Sequence, residues 1–598
     1  MKKIVSLILM MTLLVGCVGI FSGCGSEDDG AQIVIALGDV VYDFDPSDYY
    51  VDDNEAQLLS LMYEPLFRLN ARGRIEKAAA KSYKINKKER TITVVLRESY
   101  WSDGKQVTAQ DFIYAWRDRI IDPARANPAA ALFYDVENAM DIKTGKNPDL
   151  YSFGAVATEY NKITIRYREG ADVDQLLKNL SSVAASPVRE DVVRTSSDHW
   201  IKSTDTIVSN GPFYLSTYLV ENTTAGRKEV ATAQLRLARN TGYRQSPAST
   251  RVDRQVTPAE MAVFWVGDHT VELTYQLLEA NAVFFIGNNA DADTRTSYQK
   301  KAKTADLLST YSYLFNTENP LFADARVRRA LSLALDRETM ASAVTFATAA
   351  GGFYPGREGL LSASSDLSAA QALLDEVDFT GLKKEFTLTV NDDEDSRALA
   401  GLAQVAWEEL GFKVSVSYVQ NIQSTVFDTT VGEDIDILDS TVQATVKDAA
   451  YGVKKFDVIG IDFQMYSTDK FVALCALTST MNGGGVSMSE GEDGKIVKTN
   501  RTSVTGWTNA EYDSLVLEAH NTTGDKKARL ALLNRAEELL VNEAPLIPVL
   551  YNQSYGFVNK KLKNVSTDGY GFFVFTKTKL KNYQDYFFDK MLTDGSEE

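Results

Sequence analysis

Side chains able to do chemistry are few and scattered in this 598-residue chain. It has three histidines, His199, His269 and His520, and three cysteines, Cys17, Cys24 and Cys475. The histidines lack the close spacing that lets imidazoles share one ion, and neither HExxH nor CxxC occurs. Asn289-Ala290-Asp291-Ala292-Asp293 begins like a calcium loop. It then places Thr294 where the sharp turn needs glycine and Lys300 where a bidentate glutamate closes the site. Ser102-Asp103-Gly104-Lys105, Ser467-Thr468-Asp469-Lys470 and Lys143-Thr144-Gly145 match two motifs of penicillin-recognising serine enzymes. Their order and setting are wrong: one SxxK falls in a turn and the other follows KTG. GxxxxGK[ST] and GxSxG are absent. With 81 acidic residues some carboxylates must meet in space, yet no spacing singles out a catalytic pair. The expectation is a protein that binds without catalysing, with no catalytic residue, metal or cofactor.

Composition narrows the class further. The 44% hydrophobic content is that of a folded chain, and its length calls for several lobes. A net charge of −18 would repel nucleic-acid backbone, so nucleic acid is not an expected partner. Lys2 and Lys3 precede an apolar run over residues 4–15, the pattern of an export signal. The run ends at Gly-Cys and turns polar at once, which argues against a membrane-spanning anchor. Cys17, after Leu14-Val15-Gly16, and Cys24, after Phe21-Ser22-Gly23, both resemble the lipid-bearing cysteine of a bacterial lipoprotein. Cys24 is favoured, because Gly25-Ser26-Glu27-Asp28-Asp29-Gly30 then forms a flexible acidic tether, whereas Cys17 would leave an apolar start. The expected location is outside the cell, anchored to the outer face of the membrane. Cys475 is left without a partner, and reads as a buried thiol.

Elements that would position a site alternate along the chain. Gln32–Leu37, residues 91–97, 162–167 and 386–390, and Lys413–Val419 read as strands; residues 54–69, 112–119, 324–346, 396–410 and 526–542 read as helices. Thr108 and Asp324 are placed to cap the helices that follow them. Such alternation argues for α/β lobes built on sheets.

Several ordered segments resemble the extracellular solute-binding family 5, the oligopeptide- and dipeptide-binding lipoproteins of bacterial ABC importers. They are Tyr63-Glu64-Pro65-Leu66-Phe67-Arg68-Leu69; Trp101-Ser102-Asp103-Gly104 with Thr108-Ala109-Gln110-Asp111-Phe112 and Trp116; and Asn210-Gly211-Pro212-Phe213. Asp324-Ala325-Arg326-Val327-Arg328-Arg329-Ala330-Leu331 with Asp336-Arg337, Glu511-Tyr512-Asp513, and Glu543-Ala544-Pro545-Leu546-Ile547-Pro548 complete the set. The resemblance implies an α/β fold of the periplasmic-binding-protein-like type II, three-lobed, with two main lobes closing on a cleft by a hinge. Residues 1–23 would be the signal peptide and 24–30 the tether. Lobe I would take 31–63, 189–308 and 552–598, lobe II 64–188, and lobe III 309–551. Most signature residues, Trp101 and Asp103 among them, are expected to serve turns and packing.

The same resemblance implies a ligand site between lobes I and III, lined by Tyr49, Tyr50, Asp52, Tyr313, Asn316, Asp462, Phe463, Gln464, Tyr466 and Tyr551. Tyr466 falls nearest the aspartate that pairs with the peptide amino terminus in oligopeptide binders; Asp462 or Asp469 is the alternative. Gly460 stands where some members carry a carboxylate-binding arginine, and Ser309 and Gln464 where one branch has a cystine. The implied function is a monomeric, lipid-anchored receptor that captures a peptide or peptide-like solute. Its partners would be the permease and ATPase of an ABC importer. The alternative is a surface lipoprotein of the same fold with a chaperone-like or signalling role.

Overall fold

The computed structural model describes residues 30–37, 44–47, 53–196, 200, 204, 206–225, 228–266, 274–288, 290–419, 456–490 and 496–586. Among them the backbone organises around one long sheet. Its strands run in the spatial order Lys413–Val419, Glu385–Asn391, Val458–Gln464, Lys303–Phe315, Leu546–Val558, Phe285–Gly287, Gln32–Leu37, Glu260–Val266, Lys228–Arg239 and Phe213–Ala225, with Ala347–Ala349 pairing beside Leu546–Val558. Each half has a parallel core. Gln32–Leu37 runs parallel to Glu260–Val266 and Phe285–Gly287, and Glu385–Asn391 runs parallel to Lys413–Val419 and Val458–Gln464. Parallel strands need both faces covered, and Val34 to Leu37 are buried as an uninterrupted apolar run.

Lys303–Phe315 and Leu546–Val558 are 13 residues each, antiparallel, and carry the chain from one half of the sheet to the other and back. Their register shifts between Asp306 and Thr310, and again between Tyr311 and Ser312, opposite Pro548. Proline has no N–H for the ladder, so a bulge is where a paired strand tolerates it. These two strands connect the halves of the sheet.

A separate antiparallel sheet, Ala80–Asn86, Thr91–Leu96, Lys162–Arg166 and Ala155–Glu159, stands beside the long one. The signature residues there are structural. Asp111 accepts from the backbone N–H of Thr108 (2.8 Å) and from Trp101 Nε1 (3.2 Å), while Asp103 receives Arg189 at 3.1 Å. Asn210 exchanges hydrogen bonds with the backbone of Glu64 at 3.0 and 2.8 Å, which ties two distant segments. Arg328 and Arg337 are buried and donate to carbonyls: Arg328 to Glu543 O at the end of the helix Lys526–Glu543, and Arg337 to Pro548 O on the returning crossover strand. Burial without a close carboxylate partner pushes the guanidinium of Arg337 down to about 10.

Three expected helices differ in detail. The expected helix over 54–69 stops at Met62, because Pro65 cannot continue it, and Phe67–Leu69 turns into a short strand. Residues 324–346 split into Ala325–Leu333 and Arg337–Ala343, since Asp336 caps the second by accepting from Thr339 N at 2.9 Å. Beyond Ala109–Ile113 the helix widens to a π-helix over Tyr114–Ile121. Asp291, within the segment that begins like a calcium loop, caps Ala292–Ser297, accepting from Thr294 N at 2.8 Å.

Candidate ligand-binding cavity

A cavity of about 90 Å³ opens where four segments distant in sequence meet. The Tyr63-Glu64-Pro65 stretch after the first helix forms one wall, with Arg68 beyond it. Ser181, Ser182 and Val183 form the second, the Asp568–Thr576 turn region the third, and Gln464, Met465 and Tyr466 the fourth. By the measure in which one water needs about 10–15 Å³, the space accommodates a small group of waters or a small solute moiety.

Each wall is held by identifiable interactions. Glu64 accepts from Tyr243 Oη at 2.7 Å and from Arg244 Nε at 3.0 Å, so its carboxylate is committed to the wall. Asp568 folds its own turn: one carboxylate oxygen accepts from the N–H groups of Tyr570 (2.8 Å) and Phe572 (3.0 Å). Gly571 has φ +88°, and a Cβ there would stand 2.6 Å from Asp306 O, so only glycine lets this turn rest on the crossover strand. Tyr570 Oη lies 3.0 Å from Ser181 Oγ, joining the third wall to the second. Met465 extends the pairing of Val458–Gln464 by donating to Leu308 O at 2.7 Å, which sets Gln464 and Tyr466 at the cavity.

The structure distributes the expected site residues widely. Gln464 and Tyr466 line the cavity. Tyr313 is fully buried against Trp407 at a ring separation of 5.2 Å, inside the apolar core of the C-terminal half. Phe463 packs edge-on to Phe353 at 5.3 Å. Tyr551 Oη donates to Arg357 O at 2.7 Å, Asp462 accepts from Asn552 Nδ2, and Asn316 folds its side chain onto Glu318 N at 3.1 Å. Tyr49, Tyr50, Asp52, Cys17 and Cys24 lie outside the described residues.

The departures noted around the third lobe acquire physical reasons. Ser309 and Gln464 are direct cross-strand neighbours, the geometry that a cystine between those positions would require. A Cβ on Gly460 would come within 2.4 Å of Tyr311 Oη and 3.0 Å of Tyr313, so an arginine cannot enter unless those rings move. Asp469 is occupied: it caps Lys470–Cys475 and takes both terminal nitrogens of Arg529 at 3.0 and 2.9 Å.

Among the cavity's carboxylates, Asp568 is displaced. Burial pushes the Asp568 carboxyl up to about 7, against the lowering effect of its backbone hydrogen bonds. A second perturbed acid, Asp135, is raised by burial to about 6. It belongs to a network between the small sheet and the C-terminal half: it accepts from Arg168 Nε at 2.8 Å, and Arg168 also donates to His520 O. Among the described residues no group of three or more His, Cys, Asp or Glu is placed to hold a metal ion, and no helix is long and apolar enough to cross a membrane. Asp568, Tyr570, Ser181 and Arg68 were not foreseen as site residues. Their only sequence signal was the Asp568-Gly569-Tyr570-Gly571 turn pattern, which names a turn but not what it faces.

Comparison with known proteins places this geometry. The dipeptide-binding protein DppE of Bacillus subtilis (strain 168) is 27% identical over 531 residues, 85% of this chain and 84% of its own. The probable deoxycholate-binding periplasmic protein YgiS of Escherichia coli (strain K12) is 25% identical over 90% of this chain and 89% of its own. Among solved structures, the Escherichia coli murein tripeptide binding protein MppA superposes with a TM-score of 0.71 at 22% identity, covering 92% of this chain and 99% of that one. The substrate-binding domain of a Bacillus anthracis str. Ames oligopeptide ABC transporter gives 0.74 at 17% identity, covering 93% and 99%. The mixed α/β architecture is that of a type II periplasmic binding protein. The family model for bacterial extracellular solute-binding proteins, family 5 Middle, matches residues 74–458. The chain therefore belongs to the bacterial extracellular solute-binding proteins of family 5.

Proposed function

We propose that the protein is the solute-capturing component of an ABC importer, taking a peptide or peptide-like solute and handing it to a membrane permease. The observation that carries this reading is the cavity itself, walled by the segment after the first helix, by Ser181–Val183, by the Asp568–Thr576 region and by the end of the strand Val458–Gln464, beside the two long strands that pass between the halves of the sheet. A solute bound there touches both halves, so binding favours the closed form, and the permease can prefer that form over the open one. On this reading the lobes divide as 31–63, 189–308 and 552–598 for lobe I, 64–188 for lobe II and 309–551 for lobe III. The signal over 1–23 is removed and the mature chain is lipid-anchored through Cys24 outside the cell. It acts as a monomer, without cofactor and without catalysis.

Relatives in the family carry names with different ligands, a dipeptide, deoxycholate and a murein peptide among them, so membership alone does not choose the solute. The peptide reading is supported by the cavity's mixed wall, in which tyrosine and phenylalanine rings stand among hydroxyls, an amide and the carboxylates of Glu64 and Asp568. A thermal-shift screen of the mature protein against amino acids, di- and tripeptides, longer peptides, sugars, bile acids and metal chelates tests it. Stabilisation by peptides is expected; stabilisation by another class alone, or by none at millimolar concentration, overturns it.

A further inference from the structure

Away from the cavity, the side of the molecule that carries the small sheet meets the C-terminal half backbone to backbone. Residues 482–485 form a loop between the helix Lys470–Cys475 and the hairpin strand Val486–Glu490. The loop seats on the turn at residues 123–127, which joins the π-helix Tyr114–Ile121 to the short helix Pro128–Phe133. Asn127 N donates to Gly483 O and Val486 N donates to Pro123 O, each at 2.8 Å. Gly483 and Gly485 have φ of +86° and +69°, and a Cβ on either would run into a carbonyl of the facing turn, Asn127 O for the first and Pro123 O for the second. Across the same junction, a Cβ on Gly145 would stand 2.9 Å from Val486 Cγ1. Gly73 and Gly411 also have positive φ, yet a Cβ on either would meet nothing within 4 Å. Close approach, beyond backbone conformation, is what sets the loop apart. Side chains complete the contact. Tyr134 Oη donates to Met481 O at 3.0 Å, and Arg501 NH1 spans the junction, donating to Gly484 O at 2.9 Å and to Ala124 O at 3.3 Å. Asn482 holds the loop's shape, its Oδ1 accepting from Gly484 N at 2.7 Å. None of these residues lines the cavity.

We propose that this junction is a closure clasp, in which residues 482–486 and 123–127 hold the two sides together through their own backbone, with or without a bound solute. The proposal deepens the reading of closure around the cavity and rests on it. Contacts made by a solute reward closure only while the solute is present. The clasp's bonds form in the empty protein too, so they raise the population of the binding-competent form and the affinity for every solute by the same factor. Opening exposes two N–H and two C=O groups that water then satisfies, so the net cost is small and the clasp stays reversible. Glycine is what permits it, since any side chain at 483 or 485 holds the main chains apart.

The test uses the full mature protein without solute, with hydrogen exchange followed at the amides of Asn127 and Val486 and small-angle scattering in parallel. Needing no solute, it is independent of the thermal-shift screen: the clasp can fail while a peptide receptor remains, and the screen can fail while the clasp holds. Gly483→Ala sets a methyl against Asn127 O, whereas Gly73→Ala and Gly411→Ala impose a similar backbone strain where there is room. In the wild type both amides are expected to be protected and the scattering to match the closed arrangement. In Gly483→Ala both should exchange about tenfold or more faster, with a larger radius of gyration. Amides in the strand Thr91–Leu96 should keep their wild-type rates in that variant, and Asn127 and Val486 should keep theirs in the two controls. Unprotected amides in the wild type, wild-type protection in Gly483→Ala, or equal acceleration in the controls overturns the clasp. If Gly483→Ala fails to fold, Arg501→Met, which removes the donor to Ala124 O without adding bulk, decides the matter: faster exchange at both amides upholds the clasp and unchanged rates overturn it.

Discussion

Arg295 and Asp395 join the two halves of the long sheet directly. Arg295, on the helix Ala292–Ser297, places its NH1 at 2.6 and 2.5 Å from the two carboxylate oxygens of Asp395, in the first turn of Glu394–Glu409, and its NH2 at 2.8 Å from Glu394. The guanidinium is almost wholly buried by this contact, and Asp395 sits where a helix N-terminus also favours negative charge. Arg295→Leu leaves two carboxylates facing each other without their cation. The expected outcome is a loss of about 1–3 kcal/mol in stability and a larger radius of gyration for the ligand-free protein, checked by thermal unfolding and small-angle scattering. An unchanged radius would show that the pair plays no part in closure.

Asp568 gives a pH signature of defined sign. Its carboxyl titrates near 7 in the folded chain and at about 3.9 in an unfolded one, so the folded state holds the proton more tightly. Stability must then fall as pH rises between those values, and the cost is complete above about 7. Asp568→Asn is expected to stabilise the ligand-free protein by on the order of 1–2 kcal/mol at pH 8 and hardly at all at pH 4. The cavity's Tyr243 and Tyr570 are pushed above their ordinary range by burial, so neither titrates in this window. A variant less stable than wild type at pH 8 would give Asp568 a purely structural role.

His520 has the opposite sign. It is buried, stacked on Phe471 at a ring separation of 4.9 Å, and burial with Arg168 and Arg529 nearby drives its pKa well below 6.5. Its neutral form contributes stability above about pH 6.5, and that contribution is lost as pH falls below this value and the unfolded chain takes up a proton. His520→Phe keeps the stack and removes the titration. Its melting temperature should fall less than the wild type's between pH 7 and pH 5; parallel curves would refute the assignment.

Gly460 has no room for a side chain beneath Tyr311 and Tyr313. Gly460→Ala is expected to cost about 1–3 kcal/mol by overpacking, read from chemical denaturation. A neutral effect would mean that Tyr311 yields readily, and that an arginine could be accommodated there.

The lipid anchor is tested by two exchanges outside the described residues. Cys24→Ser should release the mature protein from cells and abolish incorporation of labelled fatty acid, and Cys17→Ser should leave both unchanged. The reverse pattern would move the anchor to Cys17.

Much of the fold was legible because its determinants are local. Thr108 and Asp111 are three residues apart, Asp324 caps the helix that begins one residue later, and the Trp101 indole reaches Asp111 ten positions on. Helix boundaries were legible only where such chemistry was read correctly: Pro65 and Asp336 each mark an end that apolar periodicity alone runs through. The lysine of the KTG match, Lys143, is buried and donates to the carbonyls of Ile120 and Arg125 at 2.7 and 2.6 Å, a contact set that the motif alone does not reveal.

The cavity was not legible in the same way. By itself the sequence determined the family, the alternation of strands and helices, and the scarcity of histidine and cysteine. Only the tertiary structure decided that Tyr313 belongs to a core while Gln464 and Asp568 line a cavity. The reason is range. A cap or a turn is closed by hydrogen bonds within a few residues, so its residue types declare it. The cavity exists only because two crossover strands pair along their length and bring Glu64, Ser181, Gln464 and Asp568 together, and no short window of the chain contains that contact.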